Sequence, residues 1–301
     1  MKVDPALPRP QFRFAARVFV YAALSCILCV AAARAQSRPL APLQASASLP
    51  DAPIPANAAG AKPSSNTSDV TLINTPRNLL HDQAAIWTSP IRLRPHDLEW
   101  LAPLAVATGV AIGTDHYTMT QVVSQNSSFN QASINTSDAM VYSLVATPVV
   151  LYGFGHCQQN AHEQEAGILT GEAMVDSVVV EQGLKLIFWR ERPNQDSARG
   201  RFFQSSAGVD SSFPSSHTLI AWSAASALAA EYPSHWARFA LYSAATGIGI
   251  TRVLGQEHFP SDVLVSAAAG WLIGHYVVQH HRRPPSLFPR QSKVESTTST
   301  R

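Results

Sequence analysis

From Trp100 onward, apolar residues come in long stretches separated by short polar breaks. The stretches cover about Leu101 to Gly113, Ala139 to Gly155, Ala166 to Trp189, Thr218 to Glu231, Trp236 to Leu254 and Ser261 to His280. Alanine and glycine recur in them and no period-two alternation is present, so the pattern predicts helices and no strands. A shorter helix is predicted after Thr75-Pro76, where Leu79, Leu80, Ala84 and Trp87 fall near helical spacing before Ser89-Pro90 ends it. The expected fold class is all-α, a six-helix core bundle.

The N-terminus follows a different rule. Lys2, Arg9, Arg13 and Arg17 precede an apolar run from Val18 to Ala33, closed by Ala33-Arg34-Ala35. A basic region, an apolar stretch and small residues predict a secretory signal peptide over 1–35, and hence an exported protein. A retained anchor helix is the alternative reading of the same run. Residues 36–75, rich in Ala, Pro, Ser and Asn, predict a disordered tether. The helical domain is then expected over 76–282, and 283–301 as a polar, basic tail.

Composition narrows the partners. The chain of 301 residues carries a formal charge of only +2, too small for a nucleic-acid binder. Charged residues are 14% and hydrophobic ones 46%, so its helices are apolar on more than one face and contact with a membrane surface is expected. The stretches Ala139 to Gly155 and Val263 to Val278 approach the length of a bilayer span, whereas Ala166 to Trp189 holds Glu172, Asp176, Glu181 and Lys185. Composition therefore leaves an integral membrane enzyme and a periplasmic globule both open. Cys26 and Cys29 lie in the leader, which leaves Cys157 without an intramolecular partner; it reads as a buried small apolar residue.

The chemistry is concentrated in three short patterns. Lys185 is followed after six residues by Arg192-Pro193; Pro214-Ser215-Ser216-His217 comes next; then Arg252 precedes His258 by five residues and Asp262 by three more. Arginine and lysine neutralise phosphoryl oxygens, the first as a planar fork and the second as a point charge. Two histidines suit a division of labour in which one attacks phosphorus and the other protonates the leaving oxygen. Together these residue types can hold a tetrahedral oxyanion and transfer its phosphorus, and no metal or other cofactor is expected.

The order and spacing resemble the type 2 phosphatidic acid phosphatase superfamily, which also contains bacterial acid phosphatases and vanadium haloperoxidases. The family signatures are Lys-x6-Arg-Pro, Pro-Ser-Gly-His and Ser-Arg-x5-His-x3-Asp. Here the first is intact, Ser216 stands where the family has Gly, and Thr251 where it has Ser. The resemblance implies a phosphate cradle of Lys185, Arg192, Ser215, Ser216 and Arg252. It also implies a phosphohistidine at His258, His217 as general acid, and Asp262 as the carboxylate that orients His258.

Local geometry adds expectations. Lys185 and Arg192 are two helical turns apart and would share one side of a helix that Pro193 stops. Pro214 suits the first position of the next helix, placing Ser215, Ser216 and His217 in an anion-binding first turn, with Ser215 alternatively a helix cap. Asp262, four residues after His258, would accept a hydrogen bond from its ring. Arg190 fits a structural cation better than a catalytic one, and Glu191 reads as the partner of an arginine. His156, His162, His275, His280 and His281 fall outside the motifs and read as structural or surface residues.

The function these readings favour is hydrolysis of phosphate monoesters or pyrophosphates by an enzyme of the cell envelope. The resemblance supplies lipid phosphates, phosphatidic acid or a polyprenyl pyrophosphate, as the substrate class. A vanadate-dependent haloperoxidase and a non-catalytic lipid-binding protein are the alternatives, and vanadate is a cofactor only under the first.

Overall fold

The computed structural model describes residues 70–204 and 210–282. The predicted leader, most of the tether and the tail lie outside them. The described residues contain seven α-helices and no strand. They are α1 (Thr75–Thr88), α2 (Leu98–Tyr117), α3 (Ser127–Cys157), α4 (Ala161–Phe188), α5 (Ser216–Glu231), α6 (His235–Leu254) and α7 (Pro260–His281). The six long stretches and the short one each form a helix, but α3 starts twelve residues before its apolar run. Its first three turns are polar, and the Asn126 side chain caps them by accepting from the Phe129 N–H.

Helix α5 is the axis of the fold. It packs against α3, α4, α6 and α7, and residues on every side of it are buried, from Thr218 and Leu219 to Ala229 and Glu231. A helix made of Ala, Ser and Leu with so little polar bulk belongs in the centre of a bundle. Its tightest neighbour is α7, where a Cβ added to Gly270 or Gly274 would collide with the α5 carbonyls of Leu219 and Ser223. The Ser226 hydroxyl closes this seam by donating to the Trp271 carbonyl at 2.9 Å. Two glycines one turn apart thus let the two backbones touch.

The outer helices are attached differently. Helix α1 lies along α4, and α2 docks mainly on α7. Val70 is buried and joins the main core, so the packed body begins five residues before the expected end of the tether. Cys157 is exposed, not buried as its residue type suggested, because it is the last residue of α3. Many apolar side chains face outward, among them Val106 and Val110 on α2, Val149 and Phe154 on α3, and Val175 and Val179 on α4. Helices α3 and α7 are long and apolar enough, by length and composition, to cross a membrane.

Because α4 and α6 end where α5 and α7 begin, the three motif segments meet at one end of the bundle. Ionisable groups are also buried between α1, α4 and α7: Asp82, Glu172, Asp176 and His281. The His281 ring pairs with Asp82 at 2.8 Å, and the Gln83 amide donates to Asp176 at 2.7 Å.

Candidate active site

Lys185 stands one turn before the end of α4. Its ammonium group, nearly buried, meets Glu181 at 2.8 Å, an i,i+4 pair on the same helix. The helix stops at Phe188, and Trp189 turns the chain with left-handed dihedrals (φ 37°). Arg192 therefore lies beyond the helix, in an extended segment, rather than on its face two turns from Lys185. That segment is held by the Glu191 N–H donating to the Arg201 carbonyl and the Ser212 N–H donating to the Arg190 carbonyl. Glu191 pairs with Arg201 at 3.3 Å.

The second motif opens α5, which begins at Ser216 with Ser215 as N-cap, two residues later than Pro214 suggested. The Phe213-Pro214 peptide is cis. Ser215 is fully buried; its hydroxyl bonds the Thr218 hydroxyl at 3.0 Å and its N–H donates to Ser266. The Ser216 hydroxyl donates to Glu181 at 2.6 Å, so the side chain added to the family's glycine position is drawn toward α4. The first-turn N–H groups of α5 have no acceptor within their own helix, which suits an anion.

His217 and Arg252 are joined by a residue that no motif announced. Asp138, in the polar first half of α3, accepts from His217 Nε2 at 2.9 Å and from Arg252 Nη1 at 3.2 Å. Arg252 is buried in the last turn of α6, and its Nε–H finds no acceptor among the described residues. Arg192 and Arg252 share Glu257: the same carboxylate oxygen lies 2.6 Å from one guanidinium and 3.3 Å from the other.

His258 is buried just before α7. Its Nδ1 lies 2.7 Å from the Ser212 carbonyl, an acceptor only, so Nδ1 carries the proton and the Nε2 lone pair is free. Asp262 does not take the expected direct bond, since its closest oxygen is 4.0 Å from Nδ1. It reaches the histidine through Ser212, whose hydroxyl donates to it at 2.5 Å, and it also accepts from the Phe259 N–H. Behind it, the buried Arg190 guanidinium bonds Asp262 at 2.5 Å and Asp115 at 2.7 Å, stacked between the rings of Phe202 and Phe259.

Electrostatics follow from this crowding. Burial, reinforced by Arg252, pushes the His217 ring down to about 4, against the pull of Asp138. Burial also holds His258 well below the usual histidine range, helped by Arg192, Arg252 and Lys185. Both rings are neutral at pH 7, and the lowering of both by Arg252 and Lys185 marks one site.

Residues 166–284 match the PAP2 superfamily model, a span that holds all three motifs. That segment is similar to the PAP2 superfamily. A Lipid A 1-phosphatase from Porphyromonas gingivalis is 25% identical to the chain over 226 residues, 73% of its length. The chain spans about half of that relative's length, 46%. No solved structure matches it.

Around this site, sequence spacing named the cations and both histidines that the structure brings together, but it did not single out Asp138, Glu181, Glu257 or Ser212. Glu181 had a usable signal, an acid one helical turn before the motif lysine in an otherwise apolar stretch. Asp138 and Ser212 had none, since they reach the site through tertiary packing. Among the described residues no cluster of His, Cys, Asp and Glu suited to a metal ion is found.

Proposed function

We propose that the chain is a phosphatase that removes terminal phosphate from lipid phosphates through a phosphohistidine at His258, with no metal in the reaction. The observation that carries this reading is a committed Nδ1–H beside three cations: Ser212 fixes the His258 tautomer, and the charges of Arg192, Arg252 and Lys185 act on the ring. The buried, acceptor-less Nε–H of Arg252 supports it, because a phosphoryl oxygen would satisfy that donor.

In the first step His258 Nε2 attacks phosphorus, the P–O bond to the leaving group breaks, and His217 donates a proton to the departing oxygen. In the second step His217 takes a proton from water, the water oxygen attacks phosphorus, the P–N bond breaks and inorganic phosphate leaves. Lys185, Arg192 and Arg252 neutralise the charge that spreads over the equatorial oxygens. Asp138 steadies the His217 imidazolium, and Asp262 keeps Ser212, and through it His258, in place.

The substrate class rests on the PAP2 match, on the relative named for lipid A and on the outward-facing apolar side chains, which fit an enzyme associated with a membrane of the cell envelope. The test is phosphate release from p-nitrophenyl phosphate, phosphatidic acid, a polyprenyl pyrophosphate and lipid A, with chelator present. Release that survives chelation and is lost in His258→Ala is expected, with 32P retained on the wild type after an alkaline denaturing quench and released by acid, as a P–N bond requires. Equal release by the variant sinks the histidine mechanism.

A further inference from the structure

We propose that Glu257 is a specificity-determining residue: its carboxylate occupies the phosphoryl seat between the two motif arginines, so that only a doubly charged terminal phosphate displaces it. The inference rests on the phosphatase reading above and names what that site selects.

One oxygen, Glu257 Oε2, bonds Arg192 Nη1 at 2.6 Å and lies 3.3 Å from Arg252 Nη2. These guanidinium groups come from different motifs, so an atom that bridges them stands where a phosphoryl oxygen must stand. Arg192 also donates to the Glu257 backbone carbonyl at 3.3 Å, which anchors the residue while its side chain remains about a quarter exposed and has solvent to swing into. Glu257 directly precedes His258, so this occupant sits beside the nucleophile. The other motif cation is matched as well, Lys185 by Glu181, and Arg252 has a second carboxylate in Asp138.

A seat already neutralised by a carboxylate discriminates by charge. A phosphodiester carries one negative charge, and exchanging it for Glu257 gains no Coulomb energy while costing desolvation. A terminal phosphate near neutral pH approaches two charges and offers three unshared oxygens, enough to bridge both arginines and reach Lys185. The distinction matters for an enzyme at a membrane, where most phosphate is in diester headgroups. Glu257 then acts as an internal competitor that rejects the abundant diester by making weak anions unprofitable.

The experiment measures inhibition of p-nitrophenyl phosphate hydrolysis by inorganic phosphate and by dimethyl phosphate, using the full chain with wild type, Glu257→Gln and Glu257→Ala. For wild type, inhibition by phosphate and none by dimethyl phosphate is expected. In both variants the inhibition constant for phosphate should fall about tenfold, roughly 1.4 kcal/mol, and dimethyl phosphate should become an inhibitor. KM should fall while kcat holds or drops, because product phosphate leaves more slowly. If phosphate binds equally or more weakly in the variants, Glu257 merely spaces the arginines and the inference is overturned. Failure of both variants to fold overturns it too. A wild type that releases no phosphate, or no more than His258→Ala, instead sinks the phosphatase reading and the inference with it.

Discussion

Replacing Arg190 with methionine is expected to destabilise the whole bundle, although Arg190 touches no substrate. The side chain is 1% exposed and its guanidinium makes four polar contacts, to Asp115 at 2.7 Å, Asp262 at 2.5 Å, Ser261 at 2.7 Å and the Gly200 carbonyl at 3.2 Å. Methionine keeps the packing between Phe202 and Phe259 but strands two buried carboxylates, Asp262 and Asp115, the second of which accepts from the Ser261 hydroxyl. Removing one partner of a buried ion pair costs about 3–5 kcal/mol. A stranded carboxylate can take up a proton, which keeps the loss near that range rather than doubling it. At about 2–4 °C per kcal/mol for a domain of this size, the melting temperature should fall by roughly 10 °C. Thermal unfolding followed by far-ultraviolet circular dichroism reads this directly. Asp115→Asn should destabilise the wild type yet relieve Arg190→Met, because it removes one of the stranded charges. A loss under about 1 kcal/mol, or the same Asp115→Asn effect in both backgrounds, would refute the reasoning.

Other perturbations separate further parts of the argument. Asp138→Asn removes the carboxylate that favours the charged form of His217; kcat should fall about tenfold at pH 7, and the limb on which kcat declines should move to lower pH. An unchanged kcat with a weaker KM would assign Asp138 to binding alone. Because His217 sits at about 4 before substrate binds and a phosphoryl dianion favours its protonation, kcat should hold to higher pH than kcat/KM does. Coincident profiles would contradict that. Burial pushes Asp176 up to about 7 from an unfolded value of 3.8, so the folded protein holds a proton that the unfolded chain releases between those values. Stability is therefore lost as pH rises through that window, and Asp176→Asn should raise the melting temperature at pH 8 while leaving it unchanged at pH 4. Gly274→Ala forces a methyl group against the Ser223 carbonyl of α5 and should cost about 1–3 kcal/mol.

The helices were legible because each is built on a run of Ala, Leu, Val and Gly with no alternation. The first half of α3 was not, since Ser127 to Asp138 carries no apolar stripe and is held by its Asn126 cap and by contacts at the site. Motif spacing named residues that the structure brings together, but gave the wrong local geometry twice. Seven residues between Lys185 and Arg192 fit two helical turns, yet the left-handed Trp189 ends α4 first. Four residues between His258 and Asp262 fit a direct hydrogen bond, yet the loop that carries Ser212 supplies the acceptor from 46 residues away. Cys157 misled for a simpler reason: residue type predicts burial only where the chain has neighbours on both sides.

The Asp115–Arg190–Asp262 network also carries an order in time. A ribosome delivers Asp115 and then Arg190 well before Asp262, the last of the three. Wherever the chain folds, Asp115 and Arg190 can pair before α7 docks, because neither belongs to that helix. When α7 follows, its carboxylate closes the network and in the same movement brings Phe259 and His258 onto Ser212. A nascent chain that lacks this last helix would therefore carry both arginine motifs in place and still be chemically silent, which delays the reactive imidazole until the bundle around it is complete.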